Sequence, residues 1–314
     1  MGKLFKNLDD TEGVFFQREV EHVKARSYDI KFPEMKARML FPVSFEAGNW
    51  AESINYQQYQ NKGKAKIINH YGKDLPRADI AGKDFVGPVR SIGASYAWNI
   101  QELRLSIKTG KALPQRRANA AKRACMQTEN DIAFFGDSDH GLNGLNVDTS
   151  IPEIAFPNDG TGTRIEWAVK TPDLIIRDIN LLFNGVVAQS LGVESADTLI
   201  MPIEQYSLLA TVQRSSASDI TILKWIMQNI PQIKNIEWVN EMNTIRVGGV
   251  IANGSADGIY AYKRDPEKLT LEIPQEFEQF PVQETGLEFE VPCHMRNGGL
   301  KIYYPLSLAK AYGL

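Results

Sequence analysis

Apolar residues recur at three- and four-residue spacing between Asn99 and Phe135, and this spacing predicts helix. Gly110 and Pro114 divide the stretch into a short helix and a longer one at about 114–135. Pro114 suits the first turn of the longer helix, where no backbone N–H is needed, and Gly136 suits its C-terminal cap. The predicted apolar stripe of this helix is narrow and consists of Ala118, Ala121, Cys125, Thr128, Ile132 and Phe135.

Residues 50–95 are polar and rich in Gly, Lys, Asn and Asp, and their pattern predicts an extended two-stranded ribbon. Apolar residues that alternate with lysines place one strand at about 64–69, and the run 85–92 has the composition of another. The loop between these strands is expected to contain Gly72, Pro76 and Gly82. A two-stranded hairpin alone in water is marginally stable, so the ribbon needs a surface to lie on.

The predicted ribbon is longer than the radius of the body that carries it. A compact chain of 314 residues has a radius of about 25 Å. Two strands of about 14 residues each reach roughly 45 Å. We therefore expect the ribbon to extend past its own subunit and onto a neighbour.

From residue 171 onward helical and extended patterns alternate, which predicts a mixed α+β body. Thr171, Pro172 and Asp173 are typical of a helix start, and this helix is expected to end near Gly192. Further helices are predicted at 203–212 and 220–228. Strands are predicted at 197–202, 236–239, 244–247, 258–262, 269–271, 277–282, 287–291 and 300–304.

Residues 1–35 form an arm in which charged residues alternate with isolated apolar ones, and no segment of it can build a core. Such a terminus is either a disordered tail or is held on another surface. Phe15 and Phe16, together with Tyr28 and Ile30, favour docking.

Composition places the chain among ordinary globular proteins, since 43% of its residues are hydrophobic and 23% are charged. Thirty-five Lys plus Arg against 38 Asp plus Glu give a net charge of −3, so the overall charge does not mark a nucleic-acid binder. No apolar run is long enough to span a membrane, and the first residues lack the apolar region of a secretory signal. We therefore expect a cytoplasmic protein with no membrane contact.

The residues that usually carry chemistry are few and scattered. Cys125 and Cys293 are too few for a disulfide framework or a thiolate zinc site, so both are expected to be buried. The four histidines have no metal-ligand spacing, and no glycine cluster matches a phosphate-binding loop. The sequence therefore predicts no metal, no cofactor and no catalytic residues.

Charge is segregated along the chain. Every charged residue from 103 to 124 is basic, whereas 271–290 holds six glutamates and no Lys or Arg. The basic set includes Arg116, Arg117, Lys122 and Arg123. Three readings are open: both segments are solvated faces, the two meet across subunits, or the basic helix faces a polyanion such as DNA.

The order of the segments, more than any single motif, carries a resemblance that covers essentially the whole chain. The stretches concerned lie at 63–67, 73–79, 91–98, 133–137, 140–145 and 299–309. An arm, a polar ribbon, a long helix that ends in a glycine turn, and a closing strand with a proline follow one another. This order resembles the HK97-fold major capsid proteins of tailed bacteriophages and prophages, and the related encapsulin shell proteins.

The resemblance implies an HK97-like α+β fold with an N-terminal arm, an extended ribbon called the E-loop, a peripheral (P) domain built on a spine helix, and an axial (A) domain. It assigns the arm to 1–35, the E-loop to 50–95, and the P domain to 36–49 and 96–164 with its spine helix at about 114–135. It assigns the A-domain core to 165–255, P-domain strands to 256–290 and C-terminal A-domain strands to 291–314.

The implied function is structural: pentamers and hexamers of the chain close into an icosahedral shell around double-stranded DNA. The resemblance implies a virion protein assembled in the host bacterial cytoplasm, with portal, scaffolding and decoration proteins as further partners. One alternative is an encapsulin-type compartment with an enzyme as cargo, and another is a soluble α+β enzyme. Inter-subunit contacts are expected at Tyr71, Lys73, Asp74, Arg77, Asp79, Lys83 and Asp84 of the E-loop and at Phe15, Phe16 and Arg18 of the arm. The basic residues Arg116, Arg117, Lys122 and Arg123 are expected between subunits or at the DNA.

Overall fold

The computed structural model describes residues 33–67, 77–110, 113–161, 164–215, 218–243 and 257–314. Within these ranges helices alternate with strands, so the expected α+β class is confirmed. The helices are α1 (Ala37–Leu40), α2 (Ile100–Thr109), α3 (Leu113–Phe135), α4 (Pro172–Gln189), α5 (Ile203–Thr211) and α6 (Ile222–Asn229). The strands are β1 (Val43–Ser44), β2 (Ser53–Lys62), β3 (Asp79–Pro88), β4 (Arg90–Asn99), β5 (Thr198–Met201), β6 (Gln213–Ser215), β7 (Ser218–Thr221), β8 (Asn235–Trp238), β9 (Gly258–Tyr262), β10 (Leu269–Glu272), β11 (Gln275–Gln279), β12 (Gln283–Thr285), β13 (Glu288–Asn297), β14 (Gly299–Ile302) and β15 (Leu308–Tyr312). The predicted strand 244–247 and nearly all of the predicted arm lie outside the described residues.

Helices α2 and α3 form where the apolar spacing predicts them. Asn99 caps α2, because its Oδ1 accepts a hydrogen bond from the Glu102 N–H at 2.8 Å while Glu102 Oε2 accepts one from the Asn99 N–H at 3.3 Å. Gly110 ends α2 with φ at +66°, a conformation that favours glycine. The predicted break and the predicted long helix are both confirmed.

Helix α3 packs across a four-stranded sheet whose central strand is β13. Strand β4 pairs with β13 along its whole length, whereas β11 and β12 share the opposite edge. Ala121 packs against Val291 and Cys293, so small residues let α3 lie close to the sheet. Thr128, predicted in the apolar stripe, is exposed, and its hydroxyl donates to the Ala124 carbonyl at 3.1 Å.

A second sheet has the order β15-β9-β5-β8, in which only β5 and β8 run parallel. Every residue of β5 and β9 is buried. Helix α4 covers this sheet with an apolar face that comprises Ile175, Ile176, Ile179, Leu182, Phe183 and Val186. Strand β9, which is assigned to the P domain, pairs with β5 of the predicted A-domain core. Strand β13, most of which is assigned to the A domain, pairs with β4 of the predicted P domain. The domain boundaries remain a prediction.

A buried ion cluster joins α4 to the chain that precedes it. The Lys170 Nζ lies 2.6 Å from Asp178 Oδ2, with both side chains fully buried, and donates to the Pro157 carbonyl at 3.0 Å. The Arg177 Nη2 lies 2.7 Å from Asp178 Oδ1, and Arg177 also pairs with Asp159. Asp178 is thus held by two cations, and the 157–159 segment is fixed onto the first half of α4.

A tight turn after α3 connects this helix to strand β14. The Leu145 N–H donates to the Ala133 carbonyl at 3.0 Å and the Asn146 N–H donates to the Phe134 carbonyl at 2.8 Å, so the turn caps the end of α3. The Leu300 N–H in β14 donates to the Asn143 carbonyl at 3.0 Å. Strand β14 in turn belongs to a three-stranded sheet with the order β1-β10-β14.

Strands β2 and β3 form the two-stranded ribbon, in register from Ser53 opposite Pro88 to Lys62 opposite Asp79. The ribbon is confirmed, but its predicted strand positions are wrong. Residues 64–67 carry no regular structure, and the predicted strand 85–92 is divided at Val89 between β3 and β4. Gly82, predicted in the loop, lies inside β3 opposite Tyr59, whose ring lies over the glycine and fills the space of its missing side chain.

Candidate assembly surface

The base of the ribbon is fixed to the body by aromatic contacts. The Tyr56 ring stacks on Phe85 with centroids 5.0 Å apart and meets Tyr303 edge-on at 4.8 Å. The Gln58 side-chain amide donates to the Tyr303 carbonyl. Such aromatic pairs stabilise by about 0.5–1.5 kcal/mol each beyond the area that they bury. The ribbon therefore leaves the body in a defined direction.

A buried polar cluster lies beside these aromatic rings. Glu272 is 3% exposed, and its Oε1 accepts hydrogen bonds from the Thr270 hydroxyl at 2.7 Å and the Tyr303 hydroxyl at 3.1 Å. Burial raises the pKa of Tyr303 to about 12, and the negative charge of Glu272 acts in the same direction. Burial lowers the pKa of Lys301, an effect that Glu272 partly offsets. The acidic segment 271–290 is therefore not uniformly solvated, because Glu272 is buried at the base of the ribbon.

The far half of the ribbon is exposed on both faces. All residues from 59 to 67 and from 77 to 80 are exposed, including Tyr59 at 69%, Ile80 at 64% and Ile67 at 94%. Isolated exposed apolar residues are common, but a ribbon with both faces in water is unusual because neither face contributes burial. The far half is thus an extension that is stabilised by β2–β3 pairing as far as Lys62, with its apolar side chains open to a partner.

The E-loop residues expected at contacts fall into two groups. Arg77, Asp79, Lys83 and Asp84 are exposed on or just before β3. The Lys83 Nζ lies 4.6 Å from the Phe85 ring centroid, on its own strand. Tyr71, Lys73 and Asp74, like Phe15, Phe16 and Arg18 of the arm, lie outside the described residues.

The basic residues of α3 are not equivalent. Arg116 and Lys122 are exposed and Arg123 is half-buried. Arg117 instead pairs within the subunit, with its Nη1 2.8 Å from Glu102 Oε2. This hydrogen bond lowers the pKa of Glu102. The sequence pattern missed the pair because Glu102 lies just ahead of the basic segment.

An arginine clamp, also missed from the sequence, fixes α1. Arg38 pairs with Glu129 of α3 at 2.6 and 2.8 Å and with Glu276 of β11 at 2.9 and 3.1 Å. The hydrogen bond to the buried Glu129 raises the pKa of Arg38. Glu278, Glu284 and Glu288 of the acidic segment are exposed.

Side chains of the kinds that carry catalysis or bind metals are dispersed in the described ranges. No cluster of three His, Cys, Asp or Glu side chains suited to a metal occurs among those residues. Cys125 and Cys293 are buried as expected, and burial raises the pKa of both thiols, which makes them poor nucleophiles. No helix in the described part of the chain is both long and apolar enough to cross a bilayer.

The chain is similar in sequence and in fold to proteins of known structure and family. A family model described as "Major capsid protein" matches residues 63–313. Among solved structures, the capsid of Myoviridae phage XM1 is similar with a TM-score of 0.82 and 19% identity, covering 96% of this chain and 99% of that chain. The capsid of a native GTA particle has a TM-score of 0.64 and 9% identity, over 94% and 96% of the two chains. A virus-like particle from Pyrococcus furiosus has a TM-score of 0.51 and 11% identity, over 89% and 92%.

No curated protein sequence matches the chain. At the identities found, the structural matches establish the fold, which is the HK97-like fold of phage capsids. The family match rests on the sequence itself and covers the second strand of the ribbon, α3 and all later helices and strands.

Proposed function

The chain belongs to the major capsid protein family, and from this premise we propose that the shell it builds with copies of itself encloses double-stranded DNA. The observation that carries the assembly of copies is the far half of the ribbon, exposed on both faces with Tyr59, Ile67 and Ile80 open to solvent. Such an element gains its stability when it lies on an adjoining copy. The role is that of a structural component of the virion capsid and requires no catalytic step.

The proposed mechanism is the addition of many weak contacts over a closed lattice. Heterologous contacts that close by rotation produce rings of five and six subunits. Because each subunit is held by several neighbours at once, the loss of any single contact does not release it. We propose Arg77, Asp79, Lys83 and Asp84 as contact residues of the ribbon, since all four are exposed. Tyr71, Lys73, Asp74, Phe15, Phe16 and Arg18 are proposed from the sequence alone.

Shortening the ribbon tests its role in the assembly of copies. Replacing 60–81 with Asn-Gly, a favoured hairpin turn, joins Tyr59 to Gly82 and keeps the anchor of Tyr56 on Tyr303. We expect a folded subunit with wild-type circular dichroism that forms no shells in negative-stain electron micrographs. Intact particles at the wild-type yield would contradict the proposal.

The DNA is proposed to face α3. Arg116 and Lys122 are exposed on that helix, whereas strand alternation puts Glu278 and Glu288 on the sheet face that points away from it. Contacts to phosphate depend on such cations and do not depend on base sequence. We propose that α3 lines the inside of the shell, and that assembly takes place in the host cytoplasm with portal, scaffolding and decoration proteins as further partners.

A charge-neutralised pair of variants tests the DNA contact. Particles that carry Arg116→Gln with Lys122→Gln are expected to hold less DNA per subunit, measured by the ratio of absorbance at 260 and 280 nm. Particles that carry Glu278→Gln with Glu288→Gln serve as the matched control and should hold the wild-type amount. Equal DNA content in the two double variants would argue against the inward orientation of α3. A co-purifying enzyme in place of DNA would favour an encapsulin-type compartment.

A further inference from the structure

The loop that follows α4 holds two apolar side chains in water. Leu191 is 93% exposed and Val193 is 81% exposed. Leu191 has φ at +54°, and no other non-glycine residue in the described ranges has a positive φ. This left-handed conformation brings the Cβ of an L residue close to its own carbonyl, so it is normally occupied by glycine or asparagine. The chain thus holds a leucine in a strained position where its side chain contacts almost nothing in the subunit.

Hydrogen bonds hold the loop in this shape. The Gly192 N–H donates to the Val187 carbonyl at 2.8 Å, which closes the end of α4. The Glu194 N–H donates to the Ser190 Oγ at 2.9 Å, and that hydroxyl donates in turn to the Val187 carbonyl at 3.2 Å. The exposure of Leu191 and Val193 is therefore built into a fixed loop and does not arise from a frayed helix end.

Two further exposed apolar side chains lie across an ion pair that adjoins the loop. Glu194 Oε1 accepts a hydrogen bond from the Lys268 Nζ at 2.5 Å, and the same Nζ lies 4.4 Å from the Tyr304 ring centroid. Tyr304 and Leu306 are each 48% exposed. We call Leu191, Val193, Tyr304 and Leu306 the Leu191 patch. The Lys268–Glu194 pair beside it carries opposite charges that cancel, so the patch has the apolar, weakly charged character of an interface core.

We propose that the Leu191 patch is a contact surface for a second copy of this chain. The proposal rests on the shell-forming function proposed above. A neutral patch offers no attraction to DNA phosphates, which argues against the nucleic acid as occupant. The remaining occupant is another copy of this chain, which belongs to a family of capsid proteins. Contacts within rings are heterologous, so the surface opposite Leu191 is a different part of the second copy.

Leu191→Asn separates assembly from folding. Asparagine tolerates the left-handed conformation, so the melting temperature of the unassembled variant should equal or exceed that of the wild type. The subunit concentration needed for shell formation, measured by light scattering, should rise at least tenfold. Leu181→Gln, at an exposed position of α4 outside the patch, should leave that concentration unchanged. An unchanged concentration for Leu191→Asn, or an equal rise for Leu181→Gln, would overturn the proposal.

Labelling with a maleimide gives a second, direct readout. Leu191→Cys should react readily in unassembled subunits and at least tenfold more slowly in purified shells. Leu181→Cys should react at similar rates in both forms, and the buried Cys125 and Cys293 contribute little background. Equal reactivity of Leu191→Cys before and after assembly would show that no second copy covers the patch. Failure of the wild-type chain to form shells would instead refute the proposed function, and the inference with it.

Discussion

Replacing Asp178 with asparagine is expected to lower the free energy of unfolding of the subunit by about 3–5 kcal/mol. The reason is the burial of its partner, since the Lys170 side chain is fully buried 2.6 Å from Asp178 Oδ2. Without the carboxylate, an ammonium group remains out of water with the Pro157 carbonyl and the more distant Asp159 as its partners. Urea unfolding at a protein concentration below that of assembly measures the change.

Two controls separate this effect from the general loss of an ion pair. Glu166→Gln breaks an exposed ion pair, in which the Arg164 Nη2 lies 2.8 Å from Glu166 Oε1. This substitution should change the free energy of unfolding little. The double variant Lys170→Met with Asp178→Leu removes both buried charges and should recover most of the loss, because apolar pairs often replace buried ion pairs without destabilisation. A loss for Asp178→Asn no larger than that for Glu166→Gln would contradict the assigned role of the cluster.

Replacing Gly144 with alanine is expected to destabilise the subunit by about 3 kcal/mol, at the upper end for overpacked positions. A Cβ at this position would lie 2.2 Å from the Gly136 N, 2.7 Å from the Phe135 carbonyl carbon and 2.8 Å from the Ile132 carbonyl oxygen. All three atoms belong to the backbone at the end of α3, so no side chain can move aside. The turn that caps α3 would have to shift, which weakens the hydrogen bonds of Leu145 and Asn146.

Gly93→Ala is the matched control for this position. Its Cβ would meet no atom closer than the Cys293 carbonyl oxygen at 3.8 Å, so its stability should remain close to that of the wild type. Differential scanning calorimetry of both variants below the assembly concentration gives the comparison. Equal melting temperatures for the two variants would show that the turn after α3 adapts to a side chain.

The local pattern of the sequence was enough to locate most helices and strands of the body. The predicted helix at 114–135 differs from α3 by one residue, because Gly110, Pro114 and Gly136 delimit it through local backbone chemistry. The strand 258–262 coincides with β9, where a continuous apolar run is fully buried. Both signals act within a few residues along the chain.

The ribbon was placed less well because its strands are mostly polar. In β2 the half-buried positions are Ile54, Tyr56 and Gln58, and a glutamine does not register as part of an apolar alternation. The choice of Tyr56 as an anchor depends on Tyr303, which is distant in sequence and adjacent only after folding. The same reason hid the pairing of Arg38 with Glu276 and the burial of Glu272.

The exposure of the ribbon was predictable from the sequence, whereas the role of its residues as contacts stays a prediction. Polarity and glycine content marked the ribbon as a segment unable to form a core, and the exposure of Arg77, Lys83 and Asp84 agrees with that expectation. Leu191 gave no signal, because a leucine after a helix is unremarkable until its backbone angle and exposure are known.

Because Tyr56 is fixed between Phe85 and Tyr303, a small change at this anchor produces a larger displacement at the far end of the ribbon. Six residues separate Tyr56 from Lys62, which corresponds to about 20 Å of strand. A change of about 10° in the direction of departure displaces the end of such a strand by about 3–4 Å. With the proposed contact of the ribbon on an adjoining copy, a small repacking of one aromatic ring would alter the angle between the two subunits, and with it the curvature and diameter of the particle.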